Sequence, residues 1–102
     1  MSLFQKKAEN AHRIMTRTAA DYLAAIAIFK YDDSRPAGLS EEDAADWEPP
    51  MPPQELMPYI EARHRAQRDY DNVIAAWRGI DHVAASEWVE NQYKEDLDAA
   101  LA

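Results

Sequence analysis

All six prolines fall between positions 36 and 58, and the only glycines are Gly38 and Gly79. Proline removes a backbone donor and blocks helix interiors, so the breakers divide 102 residues into two unbroken stretches joined by an interrupted one. Both long stretches carry helical periodicity. Phe4, Ala8, Ala11, Met15, Thr18, Tyr22, Ile26 and Phe29 recur at steps of three and four, the spacing of one helical face. This predicts a first helix over about 4–30.

The end of that helix is different. Ala24, Ala25, Ile26, Ala27, Ile28 and Phe29 are apolar all the way round, a pattern that calls for cover on several sides. At 1.5 Å per residue the helix is roughly 40 Å long, whereas a compact chain of this size has a radius of gyration near ~13 Å. Either the fold is elongated or a second chain covers what protrudes.

Residues 31–57 read as an acidic, proline-rich connection. Ser40 and Asp43 have capping-box spacing, which starts a short helix through Trp47 that Pro49 and Pro50 stop. Trp47, Met51 and Leu56 stand here among acids and prolines, either as a lid on the chain's own core or as bait for another protein. The lid is the expected role of all three, with prolines lowering the entropy lost when the connection is fixed.

A main helix follows over about 58–78, with Pro58 in its first turn and Tyr59, Ala62, Ala66, Tyr70, Val73 and Trp77 along one face. Gly79 is placed for a left-handed Schellman-type ending with Ile80 as its apolar partner. Asp81 is a good N-cap for a last helix over about 82–100, and so short a link makes an antiparallel hairpin. That helix has two apolar sides: Ala85, Trp88, Val89 and Ala99 on one, Val83, Leu97 and Leu101 on another. Wedging between the other two helices explains both sides; so does a partner on the second. The expectation is an all-α, three-helix bundle-like single domain whose core holds Tyr22, Ile26, Phe29, Tyr70, Val73, Trp77 and Trp88.

Catalytic patterns fail on residue type or on facing. There is no cysteine for thiolate chemistry, disulfides or thiolate metal sites, and no glycine elbow exposes a serine. His82 and Ser86 are one turn apart on an acidic helix, which is ordinary adjacency. Asp21 and Asp96 lie near apolar faces, where a carboxylate either acts as a base or, as readily, satisfies a hydroxyl or a cap. The two lone glycines cannot form a phosphate loop.

A repeated Glu-x-x-His, Glu9 with His12 and Glu61 with His64, has the spacing of di-metal helical bundles. At ~100° per residue, however, Glu61 and His64 point away from the Tyr59–Trp77 stripe, Glu9 sits on the polar side and His12 only at the rim. We therefore expect no enzyme, no metal and no cofactor.

Charge is uneven. Residues 1–30 hold five bases against two acids, 31–58 one against eight, 59–80 four against three and 81–102 one against six, for a net charge of −8. Phosphate backbones and anionic membranes are repelled by such a surface. That argues against DNA binding by the hairpin, whose last helix offers Asp81, Glu87 and Glu90 where a recognition helix meets DNA. PPMPP has the P-x-x-P spacing of polyproline ligands but lacks close flanking bases. Neither a signal peptide nor an apolar run of ~20 residues occurs, and the absence of cysteine suits a cytoplasmic location.

These readings leave a protein-binding module, an adaptor or inhibitor that meets a basic protein surface through Glu41, Glu42, Asp43, Asp46, Trp47, Met51, Glu87, Glu90 and Glu95. The alternatives are a homo-oligomeric structural subunit or assembly chaperone and an acidic mimic of nucleic acid. In composition the chain resembles small phage-encoded inhibitors and assembly chaperones, a likeness of style that identifies no family.

Overall fold

The computed structural model describes residues 2–102. It is all-α: α1 spans Leu3–Ile28, α2 Glu41–Asp46, α3 Met57–Ile80 and α4 His82–Leu101, with a single 3-10 turn at Gln54–Leu56 before α3. Among the described residues there is no strand, and no helix is long and apolar enough to cross a membrane.

α3 is the central element, with α1 and α4 packed on it. Phe4 and Ala8 near the start of α1 lie with Ile74 and Trp77 near the end of α3. At the other end Tyr22 lies under Arg63, so α1 and α3 run antiparallel. The helix pair is long, giving dimensions of 47 × 32 × 30 Å and a radius of gyration of 17.2 Å. A compact chain of this length would have about 13 Å; the fold is elongated.

The core is small in area because it is built on alanine. Five of the nine buried apolar residues are Ala8, Ala11, Ala25, Ala66 and Ala85; the others are Tyr22, Leu56, Ile74 and Trp77. Small side chains let helix backbones approach but remove little surface from water, at roughly 25 cal/mol per Å². Ile26, Tyr70, Val73 and Trp88 are half-buried around this core, and Phe29, expected inside, is 40% exposed. The α1 end is apolar all round and stays uncovered: Ala24, Ala27 and Ile28 are exposed, and only Ala25 is sealed.

Two expected features move. α3 continues through Gly79, so no left-handed cap forms there. The turn is made by Asp81 alone, whose N–H donates to the Trp77 carbonyl at 2.8 Å while its carboxylate accepts from the Ala84 N–H at 3.1 Å. One residue caps both helices, and a glycine is not needed. The Schellman-type ending occurs instead on α1, where Lys30 takes φ 52° and the Tyr31 N–H reaches the Ile26 carbonyl at 3.0 Å. A side chain in that left-handed region costs roughly 1–2 kcal/mol. Lys30→Gly is therefore expected to stabilise the protein by about 0.5–1 kcal/mol, after the extra entropy glycine loses on folding. A thermal melt should rise by about 2–8 °C.

The second correction concerns α4. It is not wedged between α1 and α3, because α3 lies in the middle. Ala85, Trp88 and Val89 join the core, and the other apolar side faces solvent: Val83, Leu97 and Leu101 are exposed.

Candidate functional site

The proline-rich connection is held at defined points. Ser40 caps α2 by accepting from the Asp43 N–H at 3.1 Å, and the Ala44 N–H reaches the Ser40 carbonyl at 2.8 Å. Glu41, Glu42 and Asp43 fill the first turn, where their charge suits the helix end. Trp47 then turns the chain to extended geometry and is half-buried. The Tyr31 hydroxyl, whose pKa is raised by desolvation and by Asp33, donates a hydrogen bond to the Pro50 carbonyl at 2.8 Å. Leu56 is the connection's anchor: it is fully buried, and its turn packs on both α1 and α3.

Between Pro50 and Leu56 lies Met51, which is 92% exposed. The three expected lid residues therefore divide. Leu56 is sealed, Trp47 is halfway, and Met51 stands out from a segment fixed on either side of it. The carboxylates of Glu41, Glu42, Asp43 and Asp46 are exposed, and none forms an ion pair among the described residues.

The acids expected on the last helix lie elsewhere. Glu87, Glu90 and Glu95 are exposed on α4, with Glu90 3.8 Å from Lys94 one turn on. α2 and α4 share no substantial packing.

The Glu-x-x-His residues separate as well. Glu61 and His64 are exposed on α3, and Glu9 is exposed and accepts from the Gln5 side chain at 3.3 Å. His12 turns inward. Its Nε2 lies 3.0 Å from Asp96 Oδ2; an ionised carboxylate only accepts, so Nε2 is the donor. The ring lies 6.1 Å from Tyr70 and 6.4 Å from Trp88. Asp96 also accepts from Gln92 at 3.2 Å, and the Tyr70 pKa is raised, first by burial and then by Asp96.

This contact ties α1 to α4 across 84 positions. Helical periodicity sets Asp96 near an apolar face but does not name His12, at the other end of the chain, as its partner. Asp21 stays exposed, as does His82, with Ser86 half-buried. Among the described residues no three His, Asp or Glu side chains converge as a metal site.

No protein-family model, curated protein or solved structure matches the chain.

Proposed function

We propose that this protein is a non-enzymatic protein-binding module, an adaptor or inhibitor, whose connection docks on a basic partner surface that offers an apolar pocket. Met51 carries the reading. A large apolar side chain normally gains by burial, about 1.5–3 kcal/mol, yet this one is 92% exposed on backbone fixed by the Tyr31–Pro50 hydrogen bond and by Leu56. Holding the segment still lowers the ordering cost of binding, and methionine adapts to irregular apolar pockets. The free carboxylates of α2 add attraction at the encounter and select against acidic surfaces. The exposed acids of α4, Glu87, Glu90 and Glu95, engage the same basic surface.

The test is capture from source-cell lysate on the immobilised protein, beside Met51→Ala and a variant with Glu41, Glu42, Asp43 and Asp46 all changed to lysine. One stoichiometric partner is expected. Met51→Ala should weaken it by about tenfold, a loss of ~1.4 kcal/mol, and the charge reversal should abolish it while circular dichroism stays unchanged. A partner retained equally by both variants removes the connection from the interface.

A further inference from the structure

The acidic connection has a backbone that a receptor can recognise. Trp47 lies at φ −68°, ψ 132° and Pro53 at φ −55°, ψ 147°, both in the polyproline II region. Between them the rings of Pro49, Pro50 and Pro52 fix φ at about −65°, and Glu48, Pro49, Met51 and Pro52 each precede a proline, which holds them extended. Residues 48–52 belong to no helix or turn and form no backbone–backbone hydrogen bond among the described residues, as in a polyproline II helix. At 3.1 Å per residue, residues 47–53 make about 20 Å of it, roughly two turns.

Three residues per turn give such a helix three edges, and burial follows them. Trp47, Pro50 and Pro53 share the sheltered edge. Trp47 and Pro53 are half-buried, the exposed Pro50 is tied by its carbonyl to the Tyr31 hydroxyl at 2.8 Å, and Leu56, next in the series, is fully buried. Glu48, Met51 and Gln54 share a second edge, and all three are exposed, Met51 by 92%. Pro49, exposed, and Pro52, half-buried, form the third. The segment is held along one edge and offers Met51, Glu48 and the Pro49 ring to an incoming surface.

On the premise that the chain is a protein-binding module, we propose that its partner recognises residues 47–53 as a polyproline II helix, in a groove lined by aromatic rings and rimmed by lysine and arginine. Aromatic walls accept proline rings, and they accept methionine as well, because a thioether gains from contact with a ring. A helix already formed loses little entropy on docking. The rim follows from charge. Asp46 precedes the prolines, Glu48 adjoins them on the exposed edge and Glu55 follows them, within a segment of eight acids against one base. With no lysine or arginine close to PPMPP in the sequence, an acidic rim is repelled and a basic one attracted.

Titration of the full chain into a panel of purified WW and other polyproline-reading domains tests this, with basic-rimmed grooves compared against acidic-rimmed ones. The basic-rimmed grooves should bind it at least ~10-fold more tightly, and excess poly-L-proline should displace it. Pro49→Ala and Pro50→Ala made together should weaken binding by about tenfold or more. Both residues are exposed and the Pro50 carbonyl is kept, so circular dichroism should not change; displacement of the wild type by poly-L-proline decides the matter even where this variant fails to fold. Failure of every domain to bind overturns the proposal, as does binding that is indifferent to groove charge or that poly-L-proline leaves intact. The partner captured from lysate separates this inference from the wider one. A partner that depends on Met51 yet ignores poly-L-proline and the double variant overturns polyproline recognition while the protein-binding module stands.

Discussion

Trp77→Ala is expected to remove most of the protein's stability. Trp77 is 4% exposed at the centre of the cluster formed with Ala8, Ile74 and Ala85, and its ring lies 6.0 Å from that of Trp88. Truncating a buried tryptophan typically costs about 3–5 kcal/mol, because the cavity collapses only partly. Domains hold about 5–15 kcal/mol in all, and a core in which five of nine residues are alanine belongs at the low end. At about 4–8 °C per kcal/mol, the melting temperature should fall by roughly 12–40 °C. The loss should also be uneven. α4 joins the fold mainly through Ala85, Trp88 and Val89 against Trp77 and Ile74, with His12–Asp96 as its further tie. Amide exchange should therefore report α4 opening before the α1–α3 pair. Uniform opening, or a fall below about 5 °C, would show that α4 is held elsewhere.

The helices were legible in the sequence because a three-and-four spacing and a cap are local properties. Ser40 before Asp43, Asp81 before Ala84 and the prolines at 36–58 each act within a few residues, and α2, the hairpin and the connection formed where those signals place them. What periodicity cannot supply is which apolar face finds a neighbour. Phe29 and Leu97 have the residue type and spacing of interior positions, yet both stay exposed, because the face each occupies on its helix finds no neighbouring helix to cover it. Alanine misleads in the opposite direction: Ala8 and Ala85 carry little hydrophobic signal but are fully buried at the close approach of helices. Gly79 fails for a third reason. A glycine permits a left-handed cap without requiring one, and Asp81 already satisfies both helix ends.

The candidate site divides along the same line. The acids of the connection were readable as exposed, but the burial of Leu56 depends on its turn meeting distant α1, which separates its fate from that of exposed Met51. His12 meets Asp96 for the same reason, through the crossing of two helices at opposite ends of the chain.

Leu56→Ala should uncouple fold from function. Leu56 is fully buried, and its turn touches both α1 and α3, so its truncation should cost about 2–5 kcal/mol. The removed contact is at the opposite end of the α1–α3 pair from Trp77, so additivity is expected for the two sites. The consequences differ in kind. With Leu56 shortened, the connection keeps the Tyr31–Pro50 hydrogen bond and a half-buried Trp47, and a net hydrogen bond is worth about 0.5–1.5 kcal/mol. The segment carrying Met51 then samples many conformations, and a partner must order it again at a cost of about 1–2 kcal/mol for each backbone residue newly fixed. Below its lowered melting temperature, Leu56→Ala should retain near-native helix content by circular dichroism and still bind its partner much more weakly, although Met51 and every α2 carboxylate are intact. Proteolysis should show the same loosening, with cleavage concentrated between residues 47 and 56. If Leu56→Ala is folded and binds with unchanged affinity, fixation of the connection has no part in recognition, and Met51 acts as a freely moving anchor.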